Sequence, residues 1–143
     1  MTVKAILGQK SGDVVTIQPT ATLAEAAGLL AERRIGAILV LGIEGRLAGI
    51  LSERDIVRAL AERGGAVLGE RVDQVMTRKV FTCSESDTVA QIMEQMTAGK
   101  FRHVPVTEEG RVVGIISIGD VVKHRLHEIE SESQALREYI LTA

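Results

Sequence analysis

Gly49-Ile-Leu-Ser-Glu-Arg-Asp55 and Gly114-Ile-Ile-Ser-Ile-Gly-Asp120 are one motif written twice, 65 positions apart. Each copy is a glycine, two branched apolar residues, a serine and, three further on, an aspartate. The correspondence continues upstream, where Thr16, Thr22, Ala24, Val40, Gly45 and Arg46 recur as Thr82, Thr88, Ala90, Val106, Gly110 and Arg111. Two copies make an internally duplicated module, since a solenoid needs three or more units. Duplication predicts pseudo-twofold symmetry, and with it a related pair of clefts.

Around each motif the elements follow the same order. Val14–Ile17 is β-prone and ends at Gln18-Pro19; Thr22 opens a helix, with Glu25 three residues on as a capping box requires. Leu23, Ala26, Ala27 and Leu30 keep helical spacing until Gly36. Ala37–Leu41 and Leu47–Leu51 read as buried strands joined by a turn at Gly42–Arg46. Ser52 starts a helix whose inward residues are expected to be Ile56, Val57 and Leu60, stopping near Gly64-Gly65. In the second half, Val80–Cys83 is extended and Thr88 opens a helix with Gln91 closing its box. Val89, Ile92, Met93 and Met96 form its stripe; strands at His103–Val106 and Val112–Ile116 follow, then a helix from Ser117. The fold class is therefore α/β of the α+β type: two β-α-β-β-α repeats packed with pseudo-twofold symmetry, plus a C-terminal helix. The expected divisions are an N-terminal segment 1–13, repeats at 14–63 and 80–125, a linker 64–79 and a helical extension 126–143. The extension has a thin apolar seam of Leu126, Ile129, Leu136 and Ile140, which suits packing on its own domain or on a second chain.

Composition narrows the function classes. A chain of 143 residues with 45% hydrophobic content can bury a core without a disulfide or metal staple. Only 2% of it is aromatic, so Val, Ile, Leu and Ala must build that core. A net charge of −2 offers no basic face for nucleic acid. Cys83, the single cysteine, implies a reducing compartment and reads as a small core residue rather than a nucleophile. No apolar run reaches ~18 residues and the N-terminus is too quickly polar for a secretory signal, so a soluble, cytoplasmic protein is expected. His124 and His127 share a helix face, but without neighbouring cysteines they do not make a metal site.

The β-α-β-β-α order, the Gly-h-h-Ser-x-x-Asp ending of each repeat, Val75-Met-Thr77 before the second repeat and Phe101-Arg-His-Val-Pro-Val106 within it resemble the cystathionine-β-synthase (CBS) domain family. In tandem they resemble a CBS pair, or Bateman module, over about residues 14–125. The resemblance implies two repeats packed through their sheets, with adenosyl ligands in the two clefts: AMP foremost, or ADP, ATP, NAD(H) or S-adenosylmethionine. It implies a regulatory module with no catalysis and no required metal, acting in trans on a partner and commonly homodimeric. Its alternatives are an interaction scaffold with degenerate clefts and an S-adenosylmethionine sensor.

The residue chemistry agrees with a nucleotide. Ser117 and Ser52 stand where strand becomes helix, so free N–H groups and the positive end of the helix dipole lie there. Asp120 and Asp55, one turn in, are acceptor-only carboxylates suited to a ribose, as in dinucleotide folds. Arg102 and His103 could grip phosphate oxygens. The expected stronger cleft combines Thr16, Gly36, Ala37, Arg102, His103, Pro105, Ser117 and Asp120. The weaker one has Thr82, Ser52, Arg54 and Asp55, because Gly36 and Ala37 stand in the first repeat where Arg102 and His103 stand in the second.

Overall fold

A computed structural model describes residues 1–10 and 14–142; residues 11–13 and 143, the ends of the expected terminal segments, lie outside the described residues. Its elements in chain order are α1 (Val3–Gln9), β1 (Thr16–Ile17), α2 (Leu23–Arg33), β2 (Ala37–Leu41), β3 (Leu47–Ser52), α3 (Glu53–Arg63), α4 (Val89–Gly99), β4 (His103–Glu108), β5 (Arg111–Ser117) and α5 (Ile118–Thr142). The first sheet runs β1-β2-β3, with β1 parallel and β3 antiparallel to β2. In the second, β4 pairs antiparallel with β5, and Cys83 alone bridges Val106 in parallel where Ile17 pairs with Val40 in the first. Both hairpins shift register at the same place, Val40/Leu41 and Val106/Thr107. Their loops repeat a Glu-Gly pair at positive φ, Glu44-Gly45 and Glu109-Gly110, the geometry that matches the twist of the flanking strands.

Four helices begin with a complete capping box: Thr22 with Glu25, Ser52 with Asp55, Thr88 with Gln91, and Ser117 with Asp120. Each serine or threonine accepts an N–H that the helix leaves unsatisfied, and the acidic or amide side chain accepts one in return. Below them lie two cores, one per repeat. Leu23, Ala26, Leu30, Ile38, Val40, Leu51, Ile56 and Ala59 fill the first; Val89, Ile92, Met96, Val104, Val106, Ile116 and Val121 fill the second. Val57, expected to face inward, is 64% exposed, because Ala59 takes the inner face one turn on from Ile56.

The segments set outside the repeats are part of these cores, and they are exchanged. Val3 and Ile6 of α1 are fully buried in the second core, while Val72 and Met76, from the expected linker, are buried in the first. The attachments are equivalent: Thr2 bridges Thr88, and Arg71 bridges Thr22. Each repeat is thus completed by the stretch that precedes the other repeat's first strand. The expected boundary near 126 is absent too, since α5 is one continuous helix of 25 residues.

Candidate functional site

The paired faces of the repeats leave a cleft of about 870 Å³, within the range of small-molecule sites. On one side it is lined by Ser52, Glu53, Arg54, Asp55 and Arg58 at the start of α3; Thr77, Lys79, Val80 and Phe81 form another wall, and Gly99 to His103 the third. The Thr77 wall is fixed by a two-way clasp: Ile50 N–H donates to Thr77 O and Thr77 N–H to Ile50 O, both at 2.9 Å. That clasp requires Gly49, because a Cβ there would stand 2.6 Å from Thr77 O and 2.8 Å from the Met76 sulfur.

Asp55 is oriented by its box. Its Oδ2 accepts the Ser52 N–H at 3.0 Å and its own N–H donates to Ser52 Oγ at 3.1 Å, while Oδ1 has no protein partner among the described residues. A carboxylate so held can accept from vicinal hydroxyls without reorganising. Around it stand five cationic side chains, Arg54, Arg58, Lys79, Lys100 and Arg102, against two carboxylates, Glu53 and Asp55. None of the five is in a salt bridge among the described residues. Phe81 and Phe101, the chain's two phenylalanines, stack with centroids 5.3 Å apart on the same cleft.

The structure brings Arg102 and His103, grouped with Asp120 in the sequence reading, to the cavity of Ser52, Arg54 and Asp55. The cause is the face-to-face packing of the repeats, which brings the loop before β4 against the start of α3. Gly36 makes room, since a Cβ there would lie 3.3 Å from His103 Cε1 and 3.7 Å from a Glu53 oxygen. His103 also pairs with Ser117 across the second sheet, so its imidazole lies between the two helix starts. Burial first, then the Lys10 ammonium, lowers its pKa against the opposing pull of Asp120 and Glu53. The ring is therefore neutral near pH 7.

Asp120 is already engaged. Its Oδ2 accepts from the Ser117 N–H and from Lys10 Nζ, both at 2.9 Å, and the same ammonium donates to Ile115 O at 2.8 Å. Burial opposes its ionisation, but the Ser117 N–H and the Lys10 ammonium outweigh it and hold the carboxyl below its usual range. Lys79 is the counterpart of Lys10 and lines the Asp55 cleft with no salt bridge among the described residues.

Four other expected residues are elsewhere. Thr16 pairs with Leu39 and borders a separate hollow with Gln18, Thr20 and Glu25. Thr82 lies in a groove between the two hairpin loops, with Arg46 and Arg111. Pro105 is buried mid-strand, its carbonyl accepting from Cys83 N–H, and Ala37 is buried opposite Ser52 in the sheet. Sequence reasoning missed Arg58, Lys79, Lys100, Phe81 and Phe101. Two signals were available: the restriction of phenylalanine to two sites, and the match of Lys10 with Lys79 once the exchanged segments are aligned. Cys83 is buried, and burial followed by the Asp87 and Glu108 carboxylates pushes its thiol up to about 12, which makes it unreactive. His124 is also buried, with Nδ1 3.1 Å from the Met1 sulfur, and no group of metal-ligating side chains exists among the described residues.

Comparison with known proteins bears on this arrangement. The family model described as CBS domain matches residues 3–62 and 72–127, which includes the exchanged segments. A CBS-domain containing protein from Agrobacterium tumefaciens, ATU1752, has a solved structure 50% identical to this chain; the match covers 87% of this chain and 92% of that one, with a TM-score of 0.83. Two structures at 29% identity hold ligands. The CBS domain pair of MJ0100, in complex with 5-methylthioadenosine and S-adenosyl-L-methionine, covers 90% and 98% of the two chains at a TM-score of 0.79. PAE2072 of Pyrobaculum aerophilum, complexed with AMP, covers 84% and 89% at 0.75. Among curated proteins, the mitochondrial CBS domain-containing protein CBSX3 of Arabidopsis thaliana is 34% identical over 123 residues, 83% of this chain. The chain spans only 60% of that relative's length. No helix among the described residues is long and apolar enough to cross a membrane.

Proposed function

The chain belongs to the CBS domain family, as a tandem pair, and on that premise we propose that it is a regulatory module that binds an adenine nucleotide and signals to a partner in trans. The Asp55 cleft is the primary site and AMP its foremost ligand, with ADP, ATP and NAD(H) sharing the same chemistry. One observation carries this reading: a preoriented carboxylate stands beside five cations that have no salt-bridge partner among the described residues. Asp55 accepts from the ribose hydroxyls, and Arg102 with its cationic neighbours takes the phosphate. S-adenosylmethionine fits this cleft poorly, because its sulfonium and ammonium groups meet an excess of positive charge and it brings no phosphate. The Asp120 cleft is the weaker one, since a ligand there competes with the Lys10 ammonium. The module performs no chemistry. Occupancy shifts the relation between repeats by the ligand's differential affinity for their arrangements, and the partner, in the cytoplasm, reads that shift.

Protein purified from cells and denatured should release an adenine nucleotide identifiable by mass spectrometry. AMP at ~100 times its dissociation constant should add about 2.7 kcal/mol, roughly 5–10 °C in melting temperature. A panel of AMP, ADP, ATP, NAD(H) and S-adenosylmethionine that moves the melt by less than a degree would leave an interaction scaffold as the better description.

A further inference from the structure

Helix α5 has a buried inner side and an apolar outer one. Its inner side, Val121 and His124, is buried in the second repeat. Its outer side runs Val122, Leu126, Ile129, Ser133, Leu136, Ile140, steps of alternately four and three residues that keep one line along a helix. Leu126, Ile129, Leu136 and Ile140 are each about half exposed or more, and from Ile129 to Thr142 every residue is exposed. A solvated helical stretch of that length is marginal in water on its own. The line begins on the body of the protein and continues past it without a break.

We propose that this line is the seam of a parallel, in-register, two-stranded coiled coil formed with a second copy of the chain. With Leu126, Ser133 and Ile140 at a, and Ile129 and Leu136 at d, Glu132 falls at g and Arg137 at the following e. In a parallel coil a g side chain meets the e side chain five residues on in the other helix. Glu132 therefore meets Arg137 of the other copy, twice by symmetry. Arg137 has no salt-bridge partner in its own chain among the described residues. Arg125, at the preceding g, bonds Glu128 of its own helix at 2.9 Å, so the orientation rests on Glu132 and Arg137. An antiparallel seam with Leu126 opposite Leu136 brings Glu130 towards Glu130 and Glu132 towards Glu132, a repulsive arrangement. Ser133, polar at a central a position, sets register at a cost in affinity, the known use of a polar residue there. The parallel order puts both bodies at the same end of the coil. It holds whether or not the clefts bind nucleotide.

Sedimentation equilibrium on the full chain tests this, beginning with a parent of twice the chain mass. Glu132→Arg and Arg137→Glu each turn two attractions into two repulsions and weaken the dimer roughly tenfold. Circular dichroism of the body should not change, because both residues are exposed. Mixed in equal amounts, the two variants recover parental affinity as a heterodimer, and the double variant recovers it alone. Leu136→Asn, in the seam, weakens association further. A monomeric parent overturns the proposal, as does a dimer indifferent to Leu136→Asn or to either reversal. Failure of the mixture to recover overturns the parallel order.

Discussion

Alanine at Gly49 and alanine at Gly114 are the same change in the two copies of one motif, yet they should differ by about 2 kcal/mol or more. At Gly49 the new methyl meets backbone, 2.6 Å from Thr77 O, and Thr77 is held there by two hydrogen bonds to Ile50. Relief requires the clasp to open. Two backbone bonds at about 1 kcal/mol each, with overpacking of about 1–3 kcal/mol, give a loss of about 3 kcal/mol. At Gly114 the methyl meets only the Leu7 side chain, 2.5 Å from Cδ2 and 3.2 Å from Cδ1, and a rotamer change relieves it. The lower backbone entropy of the unfolded alanine variant returns about 0.4–1 kcal/mol, so Gly114→Ala costs about 1 kcal/mol or less. Urea unfolding with unchanged m-value is the assay. Because Thr77 and Lys79 line the Asp55 cleft, Gly49→Ala should also weaken AMP by several-fold in a calorimetric titration, while Gly114→Ala leaves it unchanged. Equal stability losses, or a larger one at Gly114, would refute the reasoning that main chain and side chain set different limits here.

Asp55→Ala should weaken AMP by about 10–150-fold, the worth of about 1.5–3 kcal/mol for bonds to a charged acceptor, whereas Asp120→Ala should change that titration by less than about threefold. Lys10→Ala should cost below about 1 kcal/mol at neutral pH, because the Lys10–Asp120 pair is a quarter to a third exposed. The folded pKa of Asp120 is depressed, so its contribution is present above the unfolded value of 3.8 and is lost as pH falls through the folded one; parent and Lys10→Ala unfolding curves should converge in acid, and a constant gap would remove Asp120 from the account. His103 is depressed as well, and a bound phosphate would raise it, so binding takes up a proton and AMP affinity should rise as pH falls from 7.5 towards 6. That rise should disappear in His103→Gln; its persistence would move the titration to another group.

The alternation of strands and helices was legible because each of the four helices within the repeats announces itself with a Ser/Thr box and each hairpin with a glycine turn, local signals that require no tertiary knowledge. The duplicated aspartates were legible for the same reason. The partners of those aspartates were not, because the match of Gly36 with Arg102 says which positions are equivalent and nothing about which repeat they face. Arg102 serves the other repeat's helix start only through the packing of the halves. The role of Val3 and Ile6 was hidden by distance along the chain: their companions Val89, Ile92 and Val106 lie far beyond any local window. Val57 misled because a β-branched apolar residue beside Ile56 fits an inward stripe as well as an outward one.

The exchange of leading segments also orders events during synthesis. Helix α1 leaves the ribosome ahead of both repeats, yet its binding surface includes Val106 and Ile116, made about a hundred residues later. At ~5–20 residues per second that leaves it without its site for roughly 5–20 seconds. The first repeat has no such delay, since Val72 and Met76 follow directly on the α3 they pack near. Nascent chains should therefore complete the first core while Val3 and Ile6 are still in solvent, and the second core closes last, on a helix translated ahead of both repeats.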